Sequence, residues 1–198
     1  IDASRSMDYG KGHKAEQALK IAAVIAYISI CEMDKVSVYA IHGSAVEEVI
    51  TAIHGKDMFL EEIGKLNDII FDGDSFISEA ILPTTVGYGD GMSAIISDFL
   101  TDNNYEDAID YLCGKRRDVF CIQVLTREEL NPKIRGKVHL FDSENIQKSY
   151  RRNVNKDIIN AYKMAVEYAT SRIRNYCEAR GASYLLASAD ESVGEIFM

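Results

Sequence analysis

Two aspartates and three serines, spread over three separate segments, carry the oxygen atoms that a hard cation would need. The first segment is IDASRSM, residues 1–7, where Asp2, Ser4 and Ser6 stand two apart. In an extended loop, alternation turns these three side chains to one side. The second segment is Gly73-Asp74-Ser75, and the third is Ser97-Asp98, which ends the run MSAIISD. No His or Cys belongs to the set, so its chemistry suits Mg²⁺ first, with Mn²⁺ or Ca²⁺ as alternatives, and not zinc or copper. Asp2, Ser4, Ser6, Ser75 and Asp98 together leave a sixth position for water or for a carboxylate from a partner. Each residue also has a plainer role. Asp2 and Ser4 could cap the following turn, Ser6 could be a turn hydroxyl, and Asp74 a solvated neighbour.

Bringing these segments together requires a sheet with a shared rim. The stretch 15–32 is alanine-rich, lacks Gly and Pro, and spaces its apolar residues helically. A hairpin follows, KVSVYAI (35–41) and VEEVITAI (46–53), then helices over 58–68 and 75–82. MSAIISDF (92–99) and DVFCIQVL (118–125) are continuous apolar runs, the pattern of strands buried on both faces. Helices are expected over 104–114 and roughly 154–180, with a last strand at 182–188 and a helix starting near 190. Residues 126–147 read as irregular, with a hairpin around 136–145. The alternation predicts an α/β fold of three layers: a doubly wound, mostly parallel six-stranded sheet with one antiparallel edge strand. Ligands of such sheets bind beyond the carboxyl ends of the strands, where Asp2, Asp98 and the loop into Ser75 would meet.

The 198 residues suffice for one domain with a real core. The first residue is Ile1 rather than Met, so the chain reads as a fragment lacking most of its first strand. The most apolar stretch, 21–31, is half the length needed to cross a bilayer. Cys31, Cys113, Cys121 and Cys177 have no metal-ligand spacing and suit a reducing compartment, with Cys31 and Cys121 reading as small hydrophobes in apolar runs. Charge divides unevenly: residues 1–110 hold 7 Lys and Arg against 20 Asp and Glu, and residues 111–198 hold 15 against 11. An acidic first half concentrates cations and disfavours nucleic acid there. The basic patch KSYRRNVNK (148–156) reads as a solvated helix start, so no nucleic-acid partner is expected.

DASRSM resembles the DxSxS motif of the metal-ion-dependent adhesion site in von Willebrand factor A domains. The stretch Gly73 to Ile81 looks like that family's second loop, with Ser75 where a Thr is usual, and Asp98 in IISDF looks like its third-loop aspartate. SRSMDYG, the helix beginning at Lys14, the Asp34-Lys35-Val36 start of a strand and IISDFL followed by QVL and EL resemble one bacterial subgroup, the domain of unknown function 58 family. The resemblance implies direct metal contacts from Ser4, Ser6 and Ser75, and direct or water-mediated ones from Asp2 and Asp98. It implies a metal-dependent protein–protein interaction module that captures an acidic side chain, with a MoxR-type AAA+ ATPase as a plausible partner. It also implies a cytoplasmic setting, or the soluble domain of a membrane-anchored protein whose membrane segments lie outside this chain.

Catalytic readings fare less well. A haloacid-dehalogenase-like phosphohydrolase needs a second aspartate where Ser4 stands. There is no Gly-x-Ser-x-Gly elbow and no phosphate-binding GxxxxGK[ST] loop. His13, His42, His54 and His139 fall in unrelated segments, and Asp142 and Glu144 read as solvated. No enzymatic activity is expected. A metal-independent scaffold is the remaining alternative, since a fold does not fix a function.

Overall fold

The computed structural model describes residues 1–8, 13–85, 89–134, 136–141 and 149–197. Its long first helix, α1 (Lys14–Cys31), buries Lys14, Gln17, Ala18, Ile21, Ala22, Ala26 and Ile30, a stripe at three- and four-residue spacing. Strands β1 (Val36–His42) and β2 (Ala45–Ile53) pair antiparallel across a tight turn at Gly43, whose φ of +54° favours glycine. The expected helix over 58–68 is instead α2 (Lys56–Glu62) followed by a 3₁₀ segment, Ile63–Asp68, with Gly64 at the changeover. Helix α3 (Ile77–Ile81) is shorter than its apolar pattern, because Ser75 pairs with Gly43 in an isolated bridge.

Strands β3 (Gly91–Ser97), β4 (Arg117–Leu125) and β7 (Ser183–Ser188) form a parallel sheet in that order. Helix α4 (Glu106–Gly114) connects the first two. The four-residue α5 (Arg127–Leu130) follows β4, in a region expected to be irregular. Helix α6 (Lys156–Arg180) is capped by Asn155, which accepts from the Ile158 amide, and stops at Gly181, φ +71°. A short α7 (Val193–Ile196) comes last.

Period-two alternation divides the core between the two faces of this sheet. Ile96, Ile122 and Val124 pack with Ala18 and Ile21 of α1. Their neighbours Ile95, Val119 and Cys121 pack with Ala80 of α3, Ile109 of α4 and Ile173 of α6. Both faces are thus covered by helices, which is why these strands lack polar alternation. Cys121 is buried as expected, whereas Cys31, at the end of α1, is exposed.

The fold is mixed α/β, but the sheet is not the six-stranded one expected. Among the described residues there is a two-stranded sheet, a three-stranded sheet and a separate hairpin of β5 (Gly136–Phe141) with β6 (Ser149–Val154). The physical reason lies between β1 and β3: the bridge made by residues 1–3 is too short to pair both edges along their length, and the remainder of those edges borders a cavity of about 520 Å³. Residues 1–3 link the two sheets at its upper end. Ile41 N–H donates to Ile1 O at 2.8 Å, Ala3 N–H to Ile41 O at 3.1 Å, and Asp2 N–H to Ile96 O at 2.9 Å. Of the basic patch expected to start a helix, residues Ser149–Val154 form strand β6, paired with β5, and the helix starts at the patch's end, where Asn155 caps α6 at Lys156. His139 lies in β5, while Asp142 and Glu144 lie outside the described residues.

Candidate metal centre at the sheet rim

The ladder bonds of residues 1–3 place Asp2 at the carboxyl end of β3, beside Asp98. Asp2 is 5 % exposed. Its Oδ1 accepts from the Ser4 amide at 2.9 Å and its Oδ2 from Ser97 Oγ at 2.5 Å. The chain then turns into a 3₁₀ segment, Arg5–Asp8, which brings Ser4 Oγ and Ser6 Oγ within 3.1 Å of each other. Ser6 Oγ donates to Asp98 Oδ2 at 3.0 Å. Four of the five expected residues therefore form one hydrogen-bonded network.

Asp98 is held by the backbone that follows it. Leu100 N–H donates to its Oδ1 at 3.1 Å, and Phe99 sits at φ +48° with its amide on Ser97 Oγ at 3.0 Å. A left-handed phenylalanine costs about 1–2 kcal/mol. Burial of its ring edge-on against Tyr105, centroids 5.4 Å apart, offsets that cost. Below, Gln123 Nε2 donates to the Asp98 carbonyl at 2.7 Å, and Tyr184 Oη donates to Gln123 Oε1 at 2.7 Å.

Ser75 is positioned through backbone alone. Arg5 N–H donates to Gly73 O at 2.9 Å and Asp72 N–H to Ala3 O at 3.0 Å, tying the second loop to the first. Arg5 also forms an ion pair with Asp72 at the surface. Ser75 Oγ is buried and has no hydrogen-bond partner among the described residues. Such an orphaned hydroxyl costs roughly 1–3 kcal/mol.

The sequence reading missed the residue that dominates the site's electrostatics. Lys14 opens α1 yet is 3 % exposed, with Nζ 2.8 Å from Asp98 Oδ2 and 2.7 Å from Glu129 Oε1. Burial alone would lower its pKa; the charges and hydrogen bonds of Asp98 and Glu129 outweigh burial and leave it raised. Glu129 is itself fixed, because its Oε2 accepts from Thr126 N–H and Oγ1 in a capping box on α5. Three carboxylates (Asp2, Asp98, Glu129) against one ammonium leave the network at a formal charge of −2. His13 stands apart, its side chain 74 % exposed and 3.6 Å from Glu16.

The donor set fits a hard divalent cation by that charge, by its hydroxyl and carboxylate oxygens, and by the orphaned Ser75 Oγ. Among the described residues no three His, Cys, Asp or Glu side chains converge as a metal-holding group. A centre here would depend on serine hydroxyls.

The family described as "Protein of unknown function DUF58" matches residues 1–172. No curated protein matches the sequence. Two solved structures are similar in part. One is an aerotolerance-related membrane protein from Bacteroides fragilis carrying multiple mutations to serines: 14 % identity, 91 % of this chain and 95 % of that one covered, TM-score 0.46. The other is an uncharacterized membrane spanning protein from Vibrio fischeri: 10 % identity, 100 % and 92 % covered, TM-score 0.32. Among the described residues of this chain, no helix is long and apolar enough to cross a membrane.

Proposed function

The chain belongs to the DUF58 family, and we propose that its rim site holds a divalent cation, Mg²⁺ before Mn²⁺ or Ca²⁺, that captures an acidic side chain of a partner protein. The observation that carries this reading is the buried, unpartnered Ser75 Oγ, in a loop hydrogen-bonded to the one bearing Ser4 and Ser6. A cation bound by Ser4, Ser6 and Ser75, with Asp2 and Asp98 balancing its charge, would satisfy that oxygen and polarise an incoming carboxylate. A von Willebrand factor A-like arrangement is part of the same reading. Its support is the order in which the hydrogen bonds run, β2, β1, residues 1–3, β3, β4, β7. We read the domain as an interaction module rather than an enzyme, with a MoxR-type AAA+ ATPase among the partners to try.

The test is calorimetric titration of metal-stripped protein with Mg²⁺ and Mn²⁺, beside Asp98→Ala with its folding checked by circular dichroism. Single-site binding that the variant loses supports the reading. No heat in the wild type, or an unchanged titration in the variant, leaves the rim as a hydrogen-bonded turn.

A further inference from the structure

We propose, on the premise that the rim binds a divalent cation, that Lys14 is the residue that sets the charge of the loaded site and so lets it accept an acidic group. Lys14 is no ordinary helix-surface lysine. Its side chain is 3 % exposed, with the ammonium held between two carboxylates at 2.8 and 2.7 Å, one directly after β3 and the other on α5. One of those carboxylates, Glu129, is locked by the capping box of α5 and cannot swing away without uncapping that turn.

The arithmetic of charge gives the consequence. With Lys14 the network stands at −2, and a divalent cation brings it to zero, so an arriving carboxylate meets no net repulsion. Without Lys14 the network stands at −3. The cation then binds more tightly, but the loaded site stays negative and repels an acidic partner. Without the charge on Glu129 the network stands at −1, and Lys14 competes for Asp98 with the cation more strongly. Lys14 thus weakens cation binding and enables anion capture, two effects that a merely structural lysine would not produce together. A unit charge within a few ångströms at an effective dielectric near 20 is enough for a tenfold change or more.

The experiment uses Lys14→Met, Glu129→Gln and the double variant, each titrated with Mg²⁺ by calorimetry and then, loaded with Mn²⁺, with acetate. Gln at position 129 keeps the capping box, which takes Glu or Gln alike. Mg²⁺ binding is expected to tighten at least tenfold in Lys14→Met, weaken at least tenfold in Glu129→Gln, and return to within about threefold of wild type in the double variant. Acetate capture is lost in Lys14→Met. Both single variants shifting in one direction, or a double variant far from wild type, overturns the role of Lys14 while leaving the cation site standing. A wild type that takes up neither metal overturns the cation site and this role with it. If Lys14→Met does not fold, Glu129→Gln and the double variant decide the matter between them.

Discussion

Replacing Lys14 by Met in the absence of metal removes the ammonium buried between Asp98 and Glu129. The side chains of Lys14, Asp98 and Glu129 are 3 %, 6 % and 24 % exposed, so the ion pairs sit largely out of water. Met fills the same stem volume, which confines the change to the charge. Removing one partner of a buried ion pair costs about 3–5 kcal/mol, because the other charge is left uncompensated. Here Asp98 keeps two donors, Ser6 Oγ and the Leu100 amide, and Glu129 is partly solvated, so we place the loss at about 3 kcal/mol. For a chain of this length that corresponds to a fall in Tm of about 6–12 °C. The assay is thermal unfolding in chelator, with Lys20→Met as control. Lys20 pairs with Glu16 on the surface of the same helix, its side chain 55 % exposed, so its loss should leave Tm almost unchanged. A Lys14→Met variant no less stable than Lys20→Met would refute the claim that the rim is electrostatically poised around this ammonium.

Other substitutions separate stability from binding. Ser75→Ala removes a buried hydroxyl that has no partner, so in chelator it should leave stability unchanged or raise it by up to about 1–2 kcal/mol, while weakening Mg²⁺ binding measured by calorimetry. Tyr184→Phe strips Gln123 Oε1 of its donor and should cost about 1–3 kcal/mol in urea unfolding; a loss near zero would mean that Gln123 does not need Tyr184 to hold the Asp98 carbonyl. Asp110 is held below its usual pKa, first by the hydrogen bond from Arg180, and its stabilising effect is present above pH 4 and lost as pH falls through the lower folded value. Because the pair is exposed, Asp110→Asn should cost at most about 1 kcal/mol at pH 7 and flatten the acid limb of the stability profile; a steeper limb would contradict the assignment.

The parallel sheet was legible because its strands are apolar on both faces: Ile95 and Ile96, or Cys121 and Ile122, divide between two clusters, and such runs cannot be amphipathic. The meeting of Asp2, Ser4, Ser6 and Asp98 was legible because Asp98 directly follows the apolar run of β3 and the spaced oxygens of 2–6 follow the apolar Ile1, which places both segments at a rim. Lys14 and Glu129 were not, since their pairing spans 115 positions and has no local pattern. Two signals were present all the same. Lys14 shares a helical stripe with Ala18 and Ile21, an unusual place for a lysine, and Thr126-x-x-Glu129 spells a capping box in a segment that otherwise reads as irregular. The patch at 148–156 was legible only at its end, where Asn155 caps α6; strand β6 before it was missed because pairing with β5 is a tertiary choice that composition does not record. The six-stranded sheet was over-read for a related reason: alternation of elements fixes the layers but not whether each strand edge finds a partner, and among the described residues β1 and β3 meet through residues 1–3 alone.

The most direct measurement is the anomalous difference map of crystals grown with MnCl₂. The account predicts one strong peak at the carboxyl end of β3, in direct coordination with Ser4, Ser6 and Ser75 Oγ, with Lys14 still on Glu129. A map without that peak, or one with Mn²⁺ elsewhere and Ser75 Oγ still unpartnered, would contradict it.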